Sequence, residues 1–125
     1  MPKNLKRSIF RDEEELPISG SLPNNLTDAL NSSEYLIVIC STDAAKSYWV
    51  DKEIRHFKSY NKNENVLAII INGEPNAKEN SAYDNALECF PEALKYKVDN
   101  QENLTNQRSE PIAGDARGFL KKEKL

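Results

Sequence analysis

Two short apolar runs constrain this chain more than any other feature: Tyr35-Leu36-Ile37-Val38-Ile39-Cys40 and Val66-Leu67-Ala68-Ile69-Ile70-Ile71. Each is continuous rather than alternating and rich in β-branched residues. That is the pattern of a strand covered on both faces, as in a parallel sheet. Between them, Ser41-Thr42-Asp43 supplies a helix start with Thr42 or Asp43 as N-cap. The helix is expected to run to about Ser59, with Val50, Ile54 and Phe57 as its core stripe at i, i+4 and i+7. Asn61 to Asn65 is a polar connector. An earlier helix is expected over Pro23–Ser32, where Leu22, Leu26, Ala29 and Leu30 recur at helical spacing. Ser21 is its candidate N-cap and Pro23 suits its first turn. Strands and helices in this order indicate βαβ units, so the fold class is α/β with a parallel sheet.

The flanks carry weaker signals. Lys6–Phe10 reads as a brief strand, and Arg11–Ser21 as an acidic loop punctuated by Pro17 and Gly20. Ala82–Cys89 reads as a short helix stopped by Phe90-Pro91. Leu94–Val98 alternates, as an edge strand with its lysines facing water. Asp99–Glu110 reads as loop and 118–125 as a basic tail.

The 125 residues suit one domain, with 30% charged and 38% apolar side chains and a net charge of −3. That balance excludes a generally basic protein that coats nucleic acid. No apolar run approaches the roughly 18 residues of a membrane span, and the first twenty residues lack the apolar stretch of a signal peptide. A cytoplasmic address is therefore expected. Cys40 and Cys89 stand far from any C-x-x-C or Cys/His cluster, and are expected to be partly buried free thiols.

In α/β sheets of this kind, ligands bind beyond the carboxyl ends of the strands. The rim would carry Ser41–Asp43, Asn72–Pro75 and the Arg11–Ser21 loop. The segment Ser47-Tyr48-Trp49-Val50-Asp51-Lys52-Glu53 offers the one constellation with chemical character. Trp49 and Glu53 are i, i+4 neighbours on a helix face, and no Lys or Arg lies at i±3 or i±4 from Glu53. A carboxylate beside an indole with no cation is expected to hold its proton more tightly, as catalytic carboxylates often do. Spacing alone is also met by Trp49 as a core residue with Glu53 at its solvent margin. The run Arg11-Asp12-Glu13-Glu14-Glu15 lacks calcium-loop spacing, and neither Cys89 nor Ser41 has a legible catalytic base.

The stretch from Ile9 to Pro75 resembles the bacterial Toll/interleukin-1 receptor (TIR) domain. The matching segments are Ile9-Phe10-Arg11-Asp12 with Leu16-Pro17-Ile18-Ser19-Gly20, then Leu22 to Ser33, Tyr35 to Ser41, Ser47 to Ile54, and Ile69 to Pro75. Glu88 to Leu94 and Glu110 to Arg117 resemble a bacterial subgroup of the same family. The resemblance implies a flavodoxin-like fold with a parallel sheet, in a TIR-like domain over 1–117 followed by the tail. It implies NAD⁺ as substrate, with no cofactor and no metal. The glutamate of the family's W-x-x-x-E pattern is Glu53, which would be the catalytic carboxylate. Trp49, Ser41, Ser47, Arg11 and Asp12 would contact substrate. The Arg11–Ser21 loop would also contact other TIR domains.

The same resemblance implies missing parts. Family members open with a strand and a helix before the segment that begins here. That strand lies inside the sheet, so Lys6–Phe10 is expected to lack its neighbour and Leu36–Ile39 to show a bare inner edge. Family members usually continue past Arg117 into a closing helix, and residues 118–125 are short and depart from that pattern. The expectation is a domain truncated at both ends, marginally stable and poorly active. A non-catalytic interaction module and a non-functional remnant stand beside the enzyme as alternatives.

Overall fold

The computed structural model describes residues 22–60 and 62–118, together with the backbone of 5–7. Strand β2 (Tyr35–Cys40) and strand β3 (Val66–Ile70) form where the apolar runs lie. They pair in parallel, with Leu36 opposite Val66, Val38 opposite Ala68 and Cys40 opposite Ile70. Those six side chains are all buried, while Ile37, Ile39, Leu67 and Ile69 are half-buried. The strands are thus sealed on one face and only partly covered on the other, where cover on both faces was expected.

Strand β1 (Leu5–Arg7) lies parallel beside β2, and strand β6 (Ile112–Asp115) lies parallel beside β3, giving the order β1-β2-β3-β6. The α/β class with a parallel sheet is as expected. The bare inner edge of Leu36–Ile39 is not: Leu5, Lys6 and Arg7 stand opposite Tyr35, Leu36 and Ile37 and fill that position directly. Residues 8–10 of the expected first strand lie outside the described residues.

Helix α1 (Asn24–Ser32) begins after Pro23, one residue later than expected; Ser21 lies outside the described residues. The single helix expected from Thr42 to Ser59 is two, α2 (Thr42–Lys46) and α3 (Tyr48–Lys58). The break is at Ser47, which is extended at φ −79°, ψ 121°. Its hydroxyl oxygen accepts the N–H of Val50 at 3.2 Å and starts the second helix. Ser41, not Thr42 or Asp43, caps the first, accepting the N–H of Ala44 at 3.0 Å. A serine that satisfies the backbone locally competes with continuing the helix, and here it wins. Val50, Ile54 and Phe57 do form the buried stripe of α3.

Beyond β3 the chain departs further from expectation. Ala82–Cys89 is not a helix; short 3₁₀ turns occupy Ala77–Glu79 and Asn85–Leu87. Pro91 opens helix α4 (Glu92–Lys95) rather than ending one. Strand β4 (Tyr96–Val98) pairs antiparallel with strand β5 (Leu104–Arg108), inside the segment expected to be loop. Lys95 does not face water: it is 1% exposed and lies between Glu88, at 2.6 Å, and Glu79, at 3.1 Å. Residues 119–125 of the expected tail lie outside the described residues.

Candidate active site

Helix α3 is tied to α4 and the start of β4. Asp51 Oδ1 accepts the N–H of Ala93 at 2.9 Å, and its Oδ2 pairs with Arg55 at 2.6 Å. Lys58 is buried and donates to the carbonyls of Ala93 at 2.6 Å and Tyr96 at 3.0 Å. Burial pushes the Lys58 ammonium down to about 8, with Asp51 opposing.

At 100° per residue, Val50, Ile54 and Phe57 mark the core-facing side of α3. Glu53 lies on the flank of that side, yet it is only 6% exposed. The structure therefore buries this carboxylate rather than leaving it at a solvent margin. Trp49, one turn earlier, is partly buried and packs against the core. The Tyr48 ring meets the indole edge-on at 4.9 Å between centroids, and Lys52 Nζ lies 5.8 Å from the tyrosine ring. Turning outward around α3, the order is Glu53, Trp49, Lys52, Tyr48.

Among the other expected contacts, Ser47 and Ser41 stand at the starts of α3 and α2, each with its oxygen accepting a backbone N–H. Ser47, Trp49 and Glu53 thus share one helix, with Ser41 at the far end of the short helix before it. Arg11 and Asp12 lie outside the described residues.

Sequence reasoning missed the clamp at the carboxyl rim. The Asn72 side-chain oxygen accepts the N–H of Thr42 at 2.9 Å, tying the start of α2 to the end of β3. Gly73 follows at φ +85°, where a Cβ would stand 2.7 Å from the Leu87 carbonyl oxygen and 2.8 Å from Cys89 Cβ. Only glycine fits both the backbone and the space. Arg117 reaches back from beyond β6 and donates to the Gly73 carbonyl at 2.6 Å and to Glu74 at 3.0 Å. It also donates to Asp115, which this hydrogen bond holds down at about 2. The Asn72-Gly73 pair was a legible turn signal; Arg117, some forty residues on, carried none.

Cys40 and Cys89 are fully buried and free. Burial, and next the neighbouring Cys89, push the Cys40 thiol up to about 12. Burial and the adjacent Glu88 push Cys89 up to about 11. Neither supplies a thiolate nucleophile at neutral pH. Among the described residues, no group of three or more His, Cys, Asp or Glu side chains could hold a metal ion. No helix among them is long and apolar enough to cross a membrane.

Residues 2–76, more than half of the chain, match the family described as Thoeris protein ThsB, TIR-like domain. The chain belongs to this TIR-like family. The matched residues run through β1, α1, β2, α2, α3 and β3, and include Trp49 and Glu53. A relative from Actinoplanes sp. named NAD(+) hydrolase ApTIR is 35% identical over 66 residues. The match covers 53% of this chain and 9% of that relative, so the chain spans less than a tenth of the relative's length. No solved structure matches.

Proposed function

We propose that this TIR-like domain cleaves the nicotinamide–ribose bond of NAD⁺, with Glu53 as the essential carboxylate. The observation that carries this reading is the burial of Glu53 one turn after a core-packed Trp49, within the residues that match the family. The activity in the name of the Actinoplanes relative supports the choice of substrate.

The chemistry asks little of a protein. The bond from the ribose anomeric carbon to the pyridinium nitrogen breaks, and its electron pair leaves with nicotinamide. The leaving group departs neutral from a cation, so no general acid is required. The sugar passes through an oxocarbenium-like state, as in glycoside hydrolysis. A carboxylate fixed beside that centre stabilises the developing positive charge and holds the ribose hydroxyls. Water then adds to the anomeric carbon and loses a proton, giving ADP-ribose. Trp49 would wall the nicotinamide side, and Ser41, Ser47, Arg11 and Asp12 would supply secondary polar contacts.

The test is nicotinamide release from NAD⁺ by the purified protein, set against Glu53→Gln and Glu53→Ala. We expect a loss of at least a hundredfold in both, with the far-ultraviolet circular dichroism unchanged in the isosteric Gln variant. Equal release by the parent and a folded Glu53→Gln protein overturns the assignment.

A further inference from the structure

We infer that His56 is a proton-operated clasp that ties α1 and the β4–β5 turn to α3. This is independent of the role given to Glu53. His56 is the single histidine of the chain, and its side chain is 13% exposed. Its Nδ1 lies 3.0 Å from Glu102 Oε2, on the β4–β5 turn, and its Nε2 lies 2.8 Å from Asn31 Oδ1, on α1. Asn31 is 25 residues away in sequence and Glu102 is 46. Both facing atoms are oxygens, a carboxylate and an amide carbonyl, and both accept only. A neutral imidazole has one N–H, whereas the imidazolium has two. With the Asn31 amide oxygen facing Nε2, the ring meets both partners only when both nitrogens carry protons. On losing one proton it must give up its hydrogen bond to Asn31 on α1 or to Glu102 on the turn.

The backbone at Glu102 is a second, separate observation. This residue adopts φ +68°, a left-handed conformation that non-glycine residues rarely hold. The turn is wound around Asp99, whose Oδ1 accepts the N–H groups of Gln101 and Asn103, each at 2.9 Å. The residue that contacts the ring is thus held in a strained backbone conformation by the turn around Asp99.

The other charged and titratable groups around the clasp are engaged elsewhere or lie along the same helices. Arg55 Nη1 donates to the Glu102 carbonyl at 3.5 Å, and Lys62 donates to the carbonyls of Asn31 and Ser33. The Tyr60 ring lies tilted with its centroid 5.4 Å from that of the imidazole. Lys52 and Glu53 precede His56 by one turn of α3, and Asp28 precedes Asn31 by one turn of α1. Glu102 is the carboxylate in contact with the ring.

A single histidine gives one pair of imidazole nitrogen signals, so nitrogen-15 NMR of the full chain reads the clasp directly. As base is added, the ring is expected to carry protons on both nitrogens while both contacts are made, and on one nitrogen once either contact has opened. The amide signals of residues 29–32 and 101–103 should move with the ring. Protection from exchange, corrected for intrinsic rates, should fall several-fold at one of the two segments on the alkaline side. His56→Phe should abolish the pH-dependent movement at both segments, Glu102→Gln at the turn alone, and Asn31→Leu at α1 alone. The inference fails if both segments stay unmoved while the ring titrates. It also fails if a turned-over Asn31 amide donates to Nε2 of the singly protonated ring and keeps both contacts.

Discussion

The half of the molecule built from β2, α3 and β3 and the half that runs from Gly73 to Arg117 are held by different physics. In the first, Leu36, Val38, Cys40, Ile54, Phe57, Val66 and Ala68 are all buried and apolar. Their contribution is non-directional and follows the area taken from water. In the second, the buried set includes Glu88 and Lys95, at 3% and 1% exposure. Glu88 accepts N–H groups from Asn76, Lys78 and Phe90 as well as the Lys95 ammonium. Lys95 also meets Glu79, which pairs with Arg108 on β5. One carboxylate therefore gathers a loop, a turn and a helix around the buried Ala77, Cys89, Phe90, Ala93 and Leu94. A buried charge pair set among apolar side chains is tolerated only if its polar groups are all partnered, so the region depends on each partner.

The largest expected effects test this contrast. Phe57→Ala should cost about 3–5 kcal/mol through lost burial and the cavity left behind. Glu88→Ala should cost about 3–5 kcal/mol by leaving the buried Lys95 with Glu79 alone and three backbone donors without their acceptor. Urea unfolding at neutral pH would show similar losses, and acid would separate them. Burial alone would push the Glu88 carboxyl up, but Lys95 and the three N–H groups outweigh it and hold it below its ordinary value. A depressed carboxyl contributes stability above its unfolded value and loses it as pH falls through the folded one. The penalty of Glu88→Ala should therefore shrink on acidification, while that of Phe57→Ala should persist. A Glu88→Ala penalty that does not change with pH would show that the second half is not held by this charge.

The contrast also explains what could be read in advance. The β2 and β3 runs announce themselves because every residue in them points to the same conclusion, and the Val50, Ile54, Phe57 stripe does the same at helical period. Nothing in the local pattern around Glu88 or Lys95 shows that they meet, since their other partners include Asn76, Lys78 and Glu79, well before them in the chain. Lys95 therefore read as a solvated edge lysine. Strand β5, Leu-Thr-Asn-Gln-Arg, has no apolar alternation to find, and Ile112–Asp115 is exposed throughout yet completes the sheet through its backbone. The candidate site was half legible: the Trp49–Glu53 pair sits on one helix turn, whereas the Asn72–Thr42 and Arg117–Gly73 contacts span the chain.

Lys58 joins the two halves and should show a smaller effect of opposite sign. It belongs to α3 but its ammonium caps carbonyls of α4 and β4. Burial lowers it from 10.5 to about 8. Between these values the unfolded chain binds a proton that the folded chain has released, so stability should rise with pH across that window. A gain of about 1–3 kcal/mol is expected, read by urea unfolding on either side of the window. Lys58→Met should flatten the rise. A fall in stability across this window in the parent, absent from the Met variant, would mean that the charged ammonium stabilises the junction more than its burial costs.

The smallest effects belong to the two serines that divide the crossover helix. Ser47 is buried and caps the longer helix, so Ser47→Ala should cost about 1 kcal/mol, a few degrees in melting temperature. Ser41 is half-buried and caps a helix of five residues, so its loss should cost less. Aspartate caps as well as serine, so Ser47→Asp should restore much of the stability that alanine removes. Nicotinamide release then separates the two roles given to Ser47. If the hydroxyl only starts α3 and so sets the turn that carries Trp49 and Glu53, activity should follow stability and return in the Asp variant. If it also touches the ribose, the Asp variant should fold like the parent and remain slow, because a carboxylate in that place cannot donate the proton that the hydroxyl donates.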